Sequence, residues 1–429
     1  MTETVFLDTL LARRPPLPAA RSGWLKARRA AALEKATSLP APTVRDEDWR
    51  FTDLSPLYRT KLQPAGGGLI DPTALALFAL PEAGARLVFV DGRYAPDLSA
   101  TAAGSGLLAA PLGQALETHG EALERFLAAV AADDADVFAA VNTAFLQDAA
   151  VIVAGPTAEH KPVHVLHVST GRETVAHPRL LVVAENGAAC TVVEDFVAAG
   201  GVAYFTNGVT EVAVAADAEV RHVKIQRESE TAFHVADTSV RLERDARYRN
   251  WSVALGARLS RHNLHIHQAG EAVDCEVDGL ALIAGRQLAD THSTIDHAFA
   301  RGRSRQLHKT VVDGSGHAVF NGKIFVRAGA QQTDSAQQSR NVLLTPRAHV
   351  DTKPQLEIFA DDVKCAHGAT VGQIDAEEVF YLESRGLSEA AARNLLTYAF
   401  AAEVVEKIPV RSVVQALERV ILEQTQEKR

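Results

Sequence analysis

The chain has 429 residues, of which 47% are hydrophobic and 23% charged, so it has ample core for roughly two to four domains of about 150 residues each. Its formal net charge is −9 and it has no long run of lysine or arginine, which argues against nucleic acid as a partner. Its three cysteines are widely spaced without a CxxC motif. It shows neither a signal peptide nor an apolar stretch of about 18 residues, so we expect a cytoplasmic protein that does not cross a membrane.

Residues 1–150 are predicted to form a mostly helical N-terminal domain. Alanine-rich sequence around Leu25 and Leu33 has helical spacing, and two further helices are expected at about 111–131 and 134–147. Residues 86–94 indicate a strand that reaches an Asp-Gly turn, a dipeptide typical of β-hairpins. Residues 47–54 combine aromatic and charged side chains around Trp49.

From about Val151 the sequence consists of short strand-like runs, many of them entered through a small-residue phrase that contains an alanine. These alanines stand at positions 188, 218, 246, 272, 318 and 348, at intervals of 30, 28, 26, 46 and 30 residues. The long interval is interpreted as two shorter periods. A loose repeat of roughly 25–30 residues favours a parallel β-helix, whose coils bury their inner faces by stacking. A β-sandwich would more usually show turn signals roughly every 8–12 residues. We therefore expect a mainly β fold with a parallel β-helix core over residues 151–373.

Residues 374–429 are predicted to form a helical C-terminal domain. Asp375 with Glu378 is a capping pair, Gly386 suits a helix C-terminus, and Ser388 suits the start of the next helix. Because solenoid ends need covers, we expect the helical domains at both ends to cover the open coils.

Cys365 and His367 form the most informative pair of residues, within the segment 354–372. Alternate side chains of an extended chain share a face, so the thiol and the imidazole should point the same way. They would then offer two ligands to iron or zinc. The alternative is a buried cysteine beside a hydrogen-bonded histidine. An iron–sulfur cluster typically needs four protein ligands, most of them thiolates. This chain alone is not expected to complete such a set, and a site shared at an interface is the remaining possibility.

Several histidines could form a column along the stacked coils, although exposed or structural histidines are the simpler interpretation. His265 and His267 should share a strand face. The other members are His262, His292, His297, His308 and His317.

The remaining sequence patterns give weaker evidence of function. Residues 316–323 imitate a phosphate-binding loop, but the glycine spacing is wrong and Ile324 stands where Ser or Thr would hold magnesium, so we exclude ATP binding there. Residues 301–305 are interpreted as a solvated corner of a coil. Two acid pairs could serve a β-helix hydrolase or lyase, namely Asp361 with Asp362 and Asp290 with Asp296. With only 6% aromatic residues, the sequence does not otherwise indicate a sugar-binding cleft.

The chain resembles the SufB/SufD family of iron–sulfur cluster assembly scaffold proteins. Residues 354–372 are similar to a motif that the family shares, residues 316–323 to a second shared segment, and residues 385–388 to the start of an alanine-rich helix. Residues 47–54 resemble the Glu-x-Trp-(Lys/Arg)-x-Thr phrase of the SufD branch. That branch is also favoured by the shorter length and the few cysteines. The resemblance covers essentially the whole chain.

This resemblance implies a right-handed parallel β-helix between helical domains and a non-catalytic scaffold role. It implies pairing with SufB through the β-helix, binding of the ATPase SufC through helices at about 375–384 and 388–407, and a SufE-type sulfur donor. His367, with Cys365, would contribute ligands to a nascent iron–sulfur cluster at the SufB interface, and this chain would bind no nucleotide itself. A homodimer is expected when the chain is isolated. The alternatives are a purely structural partner of SufB without cluster ligands, or a stand-alone carbohydrate-active β-helix enzyme.

Overall fold

The computed structural model describes residues 3–15, 23–104, 106–131, 136–158 and 161–426. The helices are α1 (Glu3–Leu11), α2 (Gly23–Ser38), α3 (Ser55–Tyr58), α4 (Leu112–Thr118), α5 (Gly120–Phe126), α6 (Val137–Phe145), α7 (Ala376–Ser384), α8 (Glu389–Val405) and α9 (Arg411–Gln426). Short 3-10 segments lie at Glu47–Trp49, Pro72–Phe78 and Pro96–Leu98.

The strands are β1 (Gln63–Pro64), β2 (Ala85–Val90), β3 (Arg93–Tyr94), β4 (Ala102–Gly104), β5 (Leu107–Pro111), β6 (Ala150–Ala154), β7 (Val163–Ser169), β8 (Thr174–Ala176), β9 (Arg179–Ala184), β10 (Ala189–Ala198), β11 (Phe205–Val214), β12 (Glu219–Arg227), β13 (Phe233–Leu242), β14 (Arg247–Ala254), β15 (Leu259–Gln268), β16 (Asp274–Ile283), β17 (Leu288–His297), β18 (Arg303–Val312), β19 (His317–Val326), β20 (Thr333–Leu343), β21 (His349–Ile358) and β22 (Val363–Gln373).

These strands form a β-solenoid of about eight turns, with helical regions before and after it, and 42% of the residues are in strands. Odd-numbered strands from β9 to β21 lie side by side in one sheet, hereafter sheet A, and even-numbered strands from β10 to β22 lie in a second, sheet B. Neighbours within each of these runs are parallel, so each coil contributes one strand to each sheet. The predicted mainly β solenoid fold is confirmed.

The recurring small-residue phrase marks a corner of this solenoid. Ala188, Ala218 and Ala246 are buried, and each stands immediately before a strand of sheet B. The residues before the last two have left-handed backbones, with φ of 61° at Asp217 and 56° at Asp245. Aspartate tolerates this conformation better than most residues, and alanine fits the tight space inside the corner.

The interval of 46 residues between Ala272 and Ala318 does not consist of two periods of a single series of corner positions. On sheet B the corner position that follows Ala246 is taken by Val273, whereas Ala318 lies in β19 of sheet A. The paired register gives the repeat directly, since Asp274 lies opposite Arg303, 29 residues later. The phrase therefore occurs at corners of both sheets, and its alanines do not form a single series.

The N-terminal region packs on the outer face of sheet A and also extends both sheets. A buried cluster joins Trp49 and Phe138 to Phe205 and Phe233 of sheet A. Strands β5 and β6 continue sheet A, and β2 pairs with β7 in sheet B. The predicted hairpin at the Asp-Gly turn is confirmed, because β2 and β3 are antiparallel. The helices predicted at 111–131 and 134–147 correspond to α4, α5 and α6, and positions 134 and 135 lie outside the described residues.

The C-terminal helices lie against the outer face of sheet B. Ala401 and Val404 of α8 and Leu417 of α9 share a buried cluster with Val223 and Trp251. Contacts of α8 with β16 and β18 fix this position along the solenoid. The expectation that the terminal helices cover the last coil is therefore wrong at this end, where β22 is exposed along most of its length.

The predicted helix boundaries of this region are confirmed by their hydrogen bonds. The Asp375 side chain accepts from the backbone N–H of Glu377, and Ser388 accepts from Ala391. Gly386 has a φ of 97° at the turn between the two helices, a conformation that favours glycine.

Candidate metal-ligand site at the open end of the solenoid

Cys365 and His367 lie on β22, the last strand of sheet B. In the parallel register Cys365 is opposite Ser335 of β20, and His367 is opposite Gln337. Ser335 and Gln337 are both buried inside the solenoid. Because paired residues of neighbouring strands face the same side of a sheet, both Cys365 and His367 belong to the inner face of the last coil.

The two side chains differ in their surroundings. Cys365 is half-buried and packs with Leu356 and Val363 against a small core that includes Ile324. Burial raises the pKa of its thiol above the ordinary value. His367 is exposed. The thiol is therefore protonated at neutral pH, and it would lose its proton on binding a metal ion.

The pair offers two ligands to a metal and needs others to complete a site. Within the described ranges, the only group of three or more potential ligands with converging donor atoms is His317, His349 and Asp351, on other strands. A metal or cluster held by Cys365 and His367 would therefore take its remaining ligands from outside the described residues.

Both strands of the last coil have an open edge. In the described part of the chain, β21 pairs within its sheet only with β19, and β22 only with β20. Large apolar side chains are exposed beside these edges, namely Ile358, Phe359 and Val371. An exposed strand edge presents unpaired backbone N–H and C=O groups and is a template for pairing with another chain. The open end is thus suited to an interface.

A buried ionic group lies inside the solenoid, further from the open end. Glu194 and Lys224 are opposite each other on β10 and β12, and the Lys224 Nζ is 3.3 Å from a Glu194 oxygen. The Nε2 of His222 lies 3.3 Å from the same oxygen, and that of His167 lies 3.8 Å from the other oxygen. Burial raises the pKa of Glu194, but Lys224 and His222 outweigh it and hold the pKa well below its usual range.

The sequence offers only a weak signal for this group. Glu194 and Lys224 stand 30 residues apart, one coil of the repeat, and other charged residues stand beside them in the sequence. They could be paired only once the register was known.

The predicted histidine column separates into an inner and an outer set. His308 and His297 are buried, and burial lowers the pKa of each to about 4. His297 contacts Gln268 and Ser304. His267 lies 3.7 Å from Asp296. The buried His297 and His308 are therefore structural, as the simpler interpretation predicts, whereas His267, with 33% of its side chain exposed, belongs to the outer set.

The remaining members of the column have separate surroundings. Burial lowers the pKa of His262 well below its ordinary value. His265 is half-buried. His292 lies 3.2 Å from Asp290. His317 contacts Asp351, a carboxylate that the sequence did not connect with it.

The acid pairs considered for a hydrolase do not form a catalytic pair. Asp290 is buried in an ion pair with Arg261. Burial raises the pKa of Asp296, but the nearby His267 and the hydrogen bonds from Arg327 outweigh it and hold the pKa at about 2. Neither group has the raised pKa of a general acid. Asp361 and Asp362 lie at the exposed bend between β21 and β22.

Two further sequence segments have ordinary structural positions. Residues 316–323 lie almost entirely in β19, so they form a strand and not a phosphate-binding loop before a helix. Arg301, Arg303 and Arg305 form a ladder of ion pairs with acidic residues of neighbouring coils, Glu271, Asp274 and Asp334. None of the described helices is long and apolar enough to span a bilayer.

The fold and the last coil define a β-solenoid protein that presents a thiol and an imidazole at an open end. Residues 167–400 match the SufBD core domain of the SUF system for FeS cluster assembly, and residues 2–165 match the SufBD N-terminal region. The chain therefore belongs to the SufBD family of iron–sulfur cluster assembly.

Proteins described as SufBD or SufD proteins align with this chain over most of their length. A SufBD family protein of Synechocystis is 41% identical over 402 residues, which are 90% of this chain and 88% of the relative. The iron–sulfur cluster assembly protein SufD of Escherichia coli is 36% identical over 88% of this chain and 87% of its own. SufD of Bacillus subtilis is 26% identical over 93% of each chain.

Proposed function

We propose that this chain is a non-catalytic scaffold subunit that pairs with a SufB-type paralogue through the open edges of β21 and β22. Cys365 and His367 then supply part of the ligand set on which a nascent iron–sulfur cluster forms. The observation that carries this proposal is the position of both ligands on an exposed last coil whose strand edges are unpaired in the described residues.

The ligand chemistry supports a shared site. A thiolate and an imidazole suit iron, but clusters generally take four protein ligands, most of them thiolates. Cys190 and Cys275 are buried in the core of the solenoid, and burial raises the pKa of each to about 12, so neither is a ready ligand. The missing thiolates would come from the paralogue, and the sulfur from a SufE-type donor.

In this proposal the energy for cluster assembly also comes from a partner protein. In this proposal the chain binds no nucleotide itself, and the ATPase SufC docks on α7 and α8. Phe380 and Tyr381 of α7 are 71% and 57% exposed. Neighbouring exposed aromatic side chains are typical of a surface that binds another protein. Movement of the ATPase would open the interface at which the cluster forms. An isolated chain would use the same open edges to form a homodimer, and the site of action would be the cytoplasm.

The test replaces His367 with alanine in the complex reconstituted with the paralogue and the ATPase. We expect the complex to elute intact and to form severalfold less cluster, measured by absorbance after anaerobic reconstitution with iron and sulfide. His119→Ala is the matched control, since His119 lies between α4 and α5, far along the chain from the last coil. An unchanged cluster yield in an intact complex would contradict the ligand role. It would leave a purely structural partner of the paralogue.

A further inference from the structure

A second group of potential metal ligands lies on the outer face of sheet A. His317 is the first residue of β19 and His349 the first residue of β21, and the two are directly opposite in the parallel register. Asp351 stands two residues after His349, so it lies on the same face of the strand. The Nε2 atoms of His317 and His349 are 2.8 Å and 3.1 Å from Asp351 Oδ2.

The three donor atoms already have the separations that a metal ion requires. They all lie within 4.8 Å of one another. For metal–ligand bonds of about 2.1 Å, neighbouring donor atoms are about 3.0 Å apart at right angles and about 3.4 Å apart at the tetrahedral angle. The observed N–O distances are close to these values. A small rearrangement of the side chains would admit an ion among them.

The group is accessible from one side and supported on the other. His317 and Asp351 are 27% and 25% exposed, whereas His349 is 63% exposed. The next outward residue on β21 is Lys353, whose charge is paired with Glu47. A cation that approaches from solvent therefore meets a carboxylate and two imidazoles, while the nearest lysine on the strand is paired with an acid.

We infer that His317, His349 and Asp351 bind a divalent first-row transition-metal ion such as Zn²⁺ or Fe²⁺, with the remaining coordination positions open to solvent. Two imidazoles and one carboxylate are a donor set that these ions accept, and a hard ion such as Mg²⁺ prefers oxygen ligands alone. The inference does not depend on the proposed scaffold function.

This site is separate from Cys365 and His367. Its three residues lie on the outer face of sheet A, whereas Cys365 and His367 belong to the inner face of sheet B. The two donor sets also differ in kind, because only the pair on β22 contains sulfur.

The test titrates the chelator-treated full chain with Co²⁺ under anaerobic conditions and follows its visible d–d absorption. We expect one ion per chain at this site, displaced by Zn²⁺. His317→Ala, His349→Ala and Asp351→Asn should each weaken binding by at least about tenfold, since even loss of a residue behind the ligands has that effect. His119→Ala is the control and should bind like the wild type.

X-ray absorption at the metal edge distinguishes the two sites. A shell of nitrogen and oxygen with imidazole scattering and no sulfur is expected. Sulfur in the first shell, or equal affinity in the wild type and the three variants, would overturn the assignment. Circular dichroism of each variant confirms that it is folded. The exposed position of His349 makes His349→Ala the variant least able to disturb the fold.

Discussion

The imidazole of His308 stacks on the ring of Phe320 inside the solenoid, with centroids 4.6 Å apart and planes inclined by 15°. His308 belongs to sheet B and Phe320 to sheet A, so the contact joins the two inner faces. Burial lowers the pKa of His308 to about 4 from an ordinary value of 6.5. The core therefore holds this histidine in its neutral form.

The low pKa of His308 predicts a loss of stability in acid. Between pH 6.5 and pH 4 the unfolded chain binds a proton at this position and the folded chain does not. Stability therefore falls as the pH falls through this window, by about 1.4 kcal/mol per pH unit for each such histidine. His308→Phe should flatten the dependence by that amount, measured by urea unfolding at pH 7 and pH 5. His119→Phe is the control, and an unchanged slope in His308→Phe would contradict the argument.

Gly279 makes the position of His308 possible. A Cβ at Gly279 would lie 2.3 Å from His308 Nδ1, so Gly279→Ala should destabilise the fold by about 1–3 kcal/mol through overpacking. The matched control is Gly329→Ala, whose added Cβ would meet its nearest atom only at 3.9 Å. The double variant Gly279→Ala/His308→Ala should recover part of the loss. If Gly279→Ala unfolds at the same urea concentration as the control, the close contact between Gly279 and His308 does not affect the free energy of unfolding.

The ion pair of Arg261 with Asp290 fixes the N-terminal segment onto sheet A. Arg261 also donates to the backbone O of Asp48 at 2.8 Å and lies over the Trp49 ring at 4.4 Å, and Thr52 donates to Asp290. Asp290→Asn removes the carboxylate that is paired with the buried Arg261 guanidinium, at a cost of about 3–5 kcal/mol.

Chemical unfolding measures this cost against an exposed pair. Glu271→Gln breaks the solvent-exposed pair with Arg301 and should cost less than about 1 kcal/mol. A loss of similar size in both variants would show that burial adds nothing to the pair of Arg261 and Asp290.

The sequence was sufficient for the repeat but not for the way in which the coils align. Alanines at several corners revealed a period, because the tight space inside a corner favours a small residue. They could not show that Ala246 and Ala318 belong to different sheets, since both kinds of corner have similar chemistry. The register alone brings His317 opposite His349. These two residues are 32 positions apart, and only the first was singled out as a candidate.

The position of the C-terminal helices could not be predicted for a related reason. Their apolar faces indicate burial, but the outer face of sheet B and the open end are both apolar surfaces that could receive them. The helices pack on the outer face of sheet B because apolar residues such as Trp251 and Val223 point outward there and are buried by the helices. Consequently the last coil stays open, and Cys365 and His367 lie where another chain can reach them.

Exposed aromatic residues on α7 predict where the ATPase that we propose as a partner would dock. Phe380→Ser should weaken co-purification with the ATPase by about 2 kcal/mol, or roughly thirtyfold, because buried aromatic anchors dominate interfaces. The thermal midpoint of the isolated chain should not change, since Phe380 is 71% exposed. Phe299→Ser is the control, as this exposed phenylalanine lies between β17 and β18. Undiminished binding by Phe380→Ser would place the docking surface elsewhere.

The open edge of β22 predicts self-association of the isolated chain, and Val371 tests it. A lysine on an exposed edge strand opposes pairing with a second strand, because its charge would have to be buried in the new sheet. Val371→Lys should weaken the dimer at least about tenfold by analytical ultracentrifugation, since 1.4 kcal/mol suffices for that change. Val44→Lys is a matched control, because both valines are 48% exposed and Val44 lies in the N-terminal region. Equal dimer affinity in the two variants would exclude the edge of β22 from the interface, and the pairing proposed with the paralogue would then need another surface.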